Sequence, residues 1–200
     1  LNMGLAGIPW WTTDIGGFHG GDPKDPKFQE LLVRWFEYGT FCPVMRLHGY
    51  RWPLQPQYGT TGGATCVSGA PNEVWSYTDQ VCEILSDYLR LRERMLPYIT
   101  ELMEEAHEKG TPVMRPLFYD FPEDKESWNV ETEYMFGPKV LVKPITDADA
   151  RETDVYLPGG ASWTNAWTGE IFEGGQKVHV AAPIEQIPLF TRDGYKLPMK

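Results

Sequence analysis

Residues 5–14 read LAGIPWWTTD and residues 41–48 read FCPVMRLH, and these two stretches decide the fold. Each begins as an apolar run of strand length, which predicts buried strands over 5–11 and 41–45. Polar side chains follow each run: Asp14 after the first, Arg46 and His48 after the second. Arg46 and His48 are two residues apart, so they share one face of a strand. We therefore expect an acid, a base and an imidazole at adjacent strand ends.

A helix is predicted between the two strands. Asp25 is a typical N-cap, Pro26 suits the first helical position, and Gly39 is expected to end the helix. The apolar stripe at steps of three and four is predicted to pack on the core: Phe28, Leu31, Trp35 and Tyr38. The charged residues of the helix are expected to face solvent: Lys27, Glu30, Arg34 and Glu37. Polar residues at strand ends, with a helix between the strands, are typical of a (β/α)8 barrel, which keeps its site there.

The rest of the chain changes from helical to β periodicity. Apolar residues recur at helical spacing over 79–109, with Thr78 as the N-cap and Gly110 as the stop, and Pro97 predicts two abutting helices near Leu96. Beyond them, turn residues separate short β-rich runs, predicted as strands over 113–119, 140–145, 154–157, 163–167, 178–181 and 187–190. Six short strands favour an antiparallel sandwich. We expect two domains, an α/β barrel portion over 1–111 and a β-sandwich over 112–200.

Composition excludes several classes of partner. The 200 residues carry a formal charge of -10, which disfavours nucleic acid and anionic membranes as partners. No apolar run approaches the ~20 residues of a membrane span. Cys42, Cys66 and Cys82 stand far apart, so no disulfide framework or zinc site is indicated, although a Cys66–Cys82 bridge stays open. We predict a cytoplasmic location and, because the chain begins with Leu1, a piece of a longer protein.

Seven motifs along the chain together resemble glycoside hydrolase family 31. They are WTTDIGGF at 11–18, Glu30-Leu31 to Arg34-Trp35, FCP at 41–43, RLH at 46–48, RMLPY at 94–98, MRPL at 114–117 and YMFGP at 134–138. The resemblance is to the last two β/α units of the catalytic barrel and the β-domain that follows. It implies a retaining α-glycosidase whose two catalytic aspartates lie on earlier strands. Their contexts, Trp-x-Asp-x-x-Glu and Gly-Asp-Asn, are absent from these 200 residues, so no catalytic residue is assigned and this chain alone is expected to be inactive.

The resemblance assigns substrate-binding roles to four residues. Asp14 and His48 would bond the hydroxyls of the terminal sugar, Phe18 would pack against its ring, and Arg46 would hold a carboxylate in place. Arg46 is the expected partner of Asp14, since an unpaired buried acid tends to take up a proton. The run Arg46 to Gly49 is similar to the α-xylosidase branch, which favours xylose over glucose. The implied partners are an α-linked oligosaccharide or glycoside and the remainder of the barrel, with a homo-oligomer left open, and no cofactor or metal is implied.

Three alternatives remain open from the sequence. Aromatic and basic residues of the Gly-rich segment 51–76 either line sugar subsites, together with Trp11, or only hold that segment together: Arg51, Trp52, Tyr58 and Trp75. A metal site built from Asp14, His19, Asp22 and His48 is a weak match to zinc-ligand spacing. The β-domain, where Trp163, Asn165 and Trp167 alternate, is either a carbohydrate-binding or interaction module or has these residues in its core, and we favour the core.

Overall fold

The structure is a computed structural model that describes residues 1–56, 60–61, 64–65 and 68–199. Its helices are α1 (Asn2–Leu5), α2 (Pro26–Thr40), α3 (Asp79–Arg94), α4 (Leu96–Lys109) and α5 (Leu117–Asp120), with 3₁₀ turns at Val74–Ser76 and Lys125–Trp128. Its strands are β1 (Arg51–Gln55), β2 (Thr60–Thr61), β3 (Ala64–Thr65), β4 (Ser68–Ala70), β5 (Met114–Arg115), β6 (Tyr134–Phe136), β7 (Val140–Val142), β8 (Glu152–Leu157), β9 (Ser162–Asn165), β10 (Ile171–Glu173), β11 (Gln176–Ala181) and β12 (Leu189–Arg192).

The two strands predicted over 5–11 and 41–45 are not formed. Helix α1 covers the start of the first, Gly7 turns the chain with a φ of +82°, and residues 41–45 leave α2 through turns. The two segments still run side by side, with a parallel bridge between Ile15 and Leu47. A strand needs partners for its backbone groups, and in the described part of the chain the only parallel pairing is this bridge.

Helix α2 begins as predicted and ends differently. The side chain of Asp25 accepts a hydrogen bond from the Lys27 amide at 2.9 Å, as an N-cap does. The helix runs one residue past Gly39, which instead packs against Ile15 so closely that a Cβ would lie 2.5 Å from Ile15 Cδ1. The predicted apolar stripe is displaced, because Leu31 is 51% exposed and the buried residues are Phe28, Leu32, Val33 and Phe36.

The predicted solvent face of α2 is buried at Arg34 and Glu37, which corrects the sequence interpretation there, whereas Lys27 is exposed as predicted and Glu30 is half-buried. Arg34 donates to the carbonyl oxygens of Ala182 at 2.7 Å, Ala150 at 3.1 Å and Pro183 at 3.1 Å. Glu37 is fully buried and accepts from Arg34 at 3.0 Å and from the Tyr88 hydroxyl at 3.1 Å. The β-domain and α3 pack on this face, so charged side chains become the contacts between the two halves of the chain.

Helices α3 and α4 follow the sequence closely. The Thr78 hydroxyl caps α3 through the Val81 amide, the chain breaks into two helices around Met95 before Pro97, and Gly110 ends α4 with a φ of +70°. Proline at the second position of α4 needs no amide hydrogen, so the break costs little. None of the helices in the described residues is long and apolar enough to cross a membrane.

The C-terminal half forms two antiparallel layers. Six strands pair in the order β10-β9-β12-β7-β6-β5, and β8 and β11 form a separate two-stranded antiparallel sheet with six residue pairs. Successive residues of β7 face opposite ways: Leu141 packs with Val155 of β8, whereas Val140 and Val142 join the core that also contains α3 and α4. The six-stranded sheet is therefore covered on one face by the β8–β11 pair and on the other by helices.

One predicted strand is shorter than expected, and some strands of the structure were not predicted. The strand predicted over 113–119 is limited to Met114–Arg115, because the chain turns at Pro116 into α5. Strands β6 and β10 were not predicted from the pattern. The described residues of the Gly-rich segment 51–76, for which no strand was predicted, contain the antiparallel pairs β1–β4 and β2–β3. Tyr58 and Cys66 lie outside the described residues.

Candidate functional site

The two polar strand ends of the sequence meet in space. The Ile15 amide donates to the Arg46 carbonyl at 3.2 Å and the Val44 amide to the Trp11 carbonyl at 3.3 Å, so the two segments are held side by side. Asp14 Oδ1 accepts from Arg46 Nη2 in an ion pair. The pairing expected from the sequence is therefore present. Because the Asp14 carboxylate is 23% exposed, it remains accessible to a ligand.

Aromatic rings continue from this ion pair along the surface. The Phe18 ring lies 5.4 Å from His48 and 4.4 Å from His19, and His19 lies 5.3 Å from Tyr50, measured between ring centroids. Phe18 is 50% exposed, and both histidines are open to solvent. We call Asp14, Phe18, Arg46 and His48 the rim cluster. The structure brings all four predicted substrate-binding residues into neighbouring segments.

Arg51 does not line the surface, which corrects its place among the candidate subsite residues. Its side chain is fully buried, and its guanidinium donates to the carbonyl oxygens of Ile15, Gly17, Gly20 and Tyr50. The cation also lies 5.2 Å from the Phe28 ring centroid. A lone arginine in a Gly-rich segment gives no signal of this role, because three of its four carbonyl partners lie more than thirty residues away along the chain.

A half-buried arginine holds the segment that leads to Arg46. Arg92 of α3 donates to the carbonyl oxygens of Thr40 at 2.7 Å, Cys42 at 2.6 Å and Pro43 at 2.9 Å. Burial lowers the pKa of Arg92 to about 10, so it stays protonated at neutral pH. Burial also raises the pKa of the Cys42 thiol to about 12, so that group stays neutral and packs as an apolar side chain. Sequence reasoning did not find the role of Arg92.

The three tryptophans predicted to line subsites are placed differently from one another. Trp52 is 49% exposed and lies over Gly20, where a Cβ would be 2.5 Å from Trp52 Nε1. Trp75 is 73% exposed in a 3₁₀ turn. Trp11 lines a cavity of about 1230 Å³ between α2 and the β-domain, and none of the rim cluster lines that cavity. Trp52 is therefore adjacent to the rim, Trp11 faces elsewhere, and the role of Trp75 stays a prediction.

Two alternatives can be compared with the structure. Within the residues that the structure describes, no three His, Cys, Asp or Glu side chains are grouped so as to hold a metal ion. In the β-domain, Trp163 is fully buried and donates to the Pro158 carbonyl at 2.9 Å, and Asn165 accepts from the Trp167 amide. The core interpretation is confirmed for Trp163, which is therefore not part of a sugar-binding surface.

The rim cluster has the chemistry of a sugar subsite. A carboxylate with one oxygen on an arginine keeps acceptor capacity for ligand hydroxyls, an imidazole can donate or accept, and an exposed ring can pack against the apolar face of a sugar. The cluster contains one carboxylate, whereas glycoside hydrolysis takes a pair of carboxyl groups on either side of the bond. The fold and site thus define a polar and aromatic rim at the end of an α/β unit that is joined to a β-domain.

Comparison with known proteins gives the family. A model described as "Glycosyl hydrolases family 31 TIM-barrel domain" matches residues 1–102, and one described as "Glycosyl hydrolase family 31 C-terminal domain" matches residues 110–197. The chain belongs to glycoside hydrolase family 31. Its fold is the C-terminal portion of a (β/α)8 barrel followed by an antiparallel β-sandwich domain.

Individual relatives include both α-xylosidases and an α-glucosidase. The chain is 39% identical to an alpha-xylosidase of Saccharolobus solfataricus, covering 100% of this chain and 25% of that protein. It is 35% identical to alpha-glucosidase 2 of Bacillus thermoamyloliquefaciens, covering 97% and 22%. A GH31 alpha-xylosidase from a soil metagenome, solved with xylose, shows 51% identity and a TM-score of 0.93 over 98% of this chain and 29% of that one. The chain therefore spans about a quarter of the length of these relatives.

Proposed function

We propose that the protein to which this chain contributes is a retaining α-glycosidase that removes terminal, non-reducing α-linked xylose. In this proposal the rim cluster binds the terminal sugar, and the nucleophile and the acid/base aspartate belong to other parts of the barrel. The observation that carries the proposal is the ion pair of Asp14 with Arg46 beside the exposed Phe18–His48 ring pair. This chain by itself binds part of the substrate and does not hydrolyse it.

The choice of xylose over glucose has two supports. Arg46 to Gly49 resembles the α-xylosidase branch, and the relatives described above include two α-xylosidases. α-Linked glucose is the second candidate, because an α-glucosidase is also a relative and the two sugars differ by one CH2OH group. Such a difference discriminates substrates by only about 1–3 kcal/mol.

The proposed partner of the chain is the remainder of its own barrel. Apolar side chains of the first ten residues are about half exposed: Met3, Leu5, Ile8 and Trp10. Exposed apolar patches mark surfaces that other protein segments cover. We place the boundary between barrel and β-domain after Thr111, next to the end of α4 at Gly110. A cytoplasmic location and a homo-oligomer are further parts of this proposal, the former supported by the free thiols of Cys42 and Cys82 among the described residues.

Kinetics of the complete enzyme on p-nitrophenyl α-xyloside and p-nitrophenyl α-glucoside test the proposal. We expect kcat/KM to be higher for the xyloside. Asp14→Asn should lower kcat/KM about 10- to 150-fold, because a hydrogen bond to a charged group contributes about 1.5–3 kcal/mol. Addition of the isolated 200-residue chain to either substrate should release no nitrophenol.

A matched control distinguishes binding from general charge effects. Asp87→Asn removes another carboxylate paired with an arginine, Arg90, on the exposed face of α3, and it should leave the kinetics unchanged. A tenfold preference for the glucoside would replace xylose with glucose as the substrate. Activity on neither glycoside, or an unchanged kcat/KM in Asp14→Asn, would refute the proposal.

A further inference from the structure

Arg51 is a fully buried cation whose partners are mainly backbone carbonyl groups. Its Nη1 donates to Gly17 at 2.9 Å, to Gly20 at 3.1 Å and to Tyr50 at 3.1 Å, and its Nη2 donates to Ile15 at 3.2 Å. Within the described residues, no carboxylate oxygen lies within 4.0 Å of this guanidinium. A buried charge is costly unless hydrogen bonds satisfy it, and here the turn over residues 15–20 supplies most of them.

The turn fits closely around the guanidinium. A Cβ on Gly16 would lie 2.6 Å from Arg51 Nη2, and Gly16, Gly17 and Gly20 all have left-handed φ angles between +74° and +82°. Glycine adopts these angles without the steric cost that other residues meet. The glycines therefore allow the backbone conformation in which three carbonyl oxygens of the turn accept hydrogen bonds from Arg51.

The same arginine reaches the segment that carries His48. Arg51 Nε donates to Asn72 Oδ1 at 3.0 Å, and Asn72 Nδ2 donates to the Gly49 carbonyl at 3.3 Å. The Tyr77 hydroxyl donates to the same Asn72 oxygen at 2.6 Å, which fixes the amide in place. Arg51 thus connects the turn after Asp14 with the residue after His48.

We propose that Arg51 is a positioning residue: by gathering the carbonyls of residues 15–20 it sets the place of Asp14 and Phe18 relative to His48. It touches no substrate and acts only through the turn and Asn72. The proposal rests on the proposed function only for the identity of the ligand that Asp14, Phe18 and His48 bind. The claim that Arg51 sets their relative positions is independent of the substrate. Removing the guanidinium leaves four carbonyls without this donor and leaves the Asn72 amide oxygen with Tyr77 alone, so the turn relaxes and the rim cluster separates.

Histidine side-chain NMR on the 200-residue chain tests this claim without any enzyme activity. The chain has four histidines, and two of them, His19 and His48, contact Phe18, whereas His107 stacks on Trp10 and His179 lies on β11. In Arg51→Met we expect shifted or doubled imidazole signals for His19 and His48, and unchanged signals for His107 and His179. Arg90→Met, which removes an exposed arginine of α3, should leave all four unchanged.

Chemical rescue separates positioning from a general loss of stability. In Arg51→Ala, millimolar guanidinium should restore the wild-type signals of His19 and His48, because the ion can occupy the site lined by the carbonyls. Urea at the same concentration, which is similar in shape and uncharged, should not. Arg51→Lys keeps the positive charge but lacks the planar guanidinium group that donates to several carbonyls at once. We therefore expect the His19 and His48 signals of this variant to resemble those of the wild type only in part.

The proposal is overturned if His19 and His48 keep their wild-type signals in Arg51→Met. It is also overturned if all four histidines lose their native signals in Arg51→Met, Arg51→Ala and Arg51→Lys alike without rescue by guanidinium, since that result assigns Arg51 to global folding. If the NMR results are as expected but the complete enzyme hydrolyses neither α-glycoside, the positioning role of Arg51 stands and the proposed function is refuted.

Discussion

Replacing Glu37 by glutamine should change how the stability of the chain depends on pH. Burial raises the pKa of Glu37 to about 8 from 4.5, against the opposite effects of Arg34 and Tyr88. The folded-state pKa lies above the unfolded value, so between these pH values the folded chain keeps a proton that the unfolded chain releases. The stabilising contribution of Glu37 is therefore complete below pH 4.5 and is lost as the pH rises towards 8.

The size of the effect follows from this difference in proton binding. Each pH unit in that window changes the free energy of unfolding by up to about 1.4 kcal/mol. From pH 5 to 8 the wild-type chain should thus lose up to about 4 kcal/mol relative to Glu37→Gln, which does not titrate. Other titrating groups contribute equally to both chains, so the difference isolates Glu37.

Urea unfolding at pH 5, 6.5 and 8 measures this difference, provided both chains show the same dependence on urea. Glu93→Gln, which neutralises an exposed glutamate of α3, is the matched control and should track the wild type. Glu37→Leu removes both acceptor oxygens, so Arg34 and Tyr88 each lose a buried hydrogen bond, and it should lower the free energy of unfolding by about 1–3 kcal/mol. A difference between wild type and Glu37→Gln that stays constant with pH would refute the reasoning.

Two further predictions concern a glycine next to His48 and the N-cap of α3. Gly49→Ala should destabilise the rim and shift the His48 NMR signal, because Gly49 has a φ of +107° and an added Cβ would lie 2.5 Å from the Gly17 carbonyl oxygen. Gly110→Ala is the control, because Gly110 has a φ of +70° and an added Cβ would meet no atom within 4 Å. It should lower the free energy of unfolding by only about 1 kcal/mol and leave the His48 signal unchanged. Thr78→Ala should lower the free energy of unfolding by about 1 kcal/mol, measured by thermal or urea unfolding, and an unchanged midpoint would contradict the capping role.

Local chemistry allowed the helices and the polar ends of the site to be predicted. Asp25 and Thr78 cap helices, and Gly110 ends α4, because those effects depend on a few neighbouring residues. The pairing of Asp14 with Arg46 was expected from the family resemblance, together with the tendency of a buried acid to take up a proton unless it is paired, and it is present in the structure.

Tertiary structure decided what the local pattern left ambiguous. The strands expected over 5–11 and 41–45 did not form, since a strand depends on partners that local sequence cannot supply. Arg34 and Glu37 of the charged face of α2 are buried rather than solvated, because the β-domain provides carbonyl partners for Arg34 from residues more than one hundred positions away. The hydrogen bonds of Arg51 became evident only in the folded chain, where the carbonyl groups of distant glycines accept from its buried guanidinium. Sequence alone therefore determined the capped helices and the residues of the rim, whereas long-range packing determined which charges are buried and what they hold.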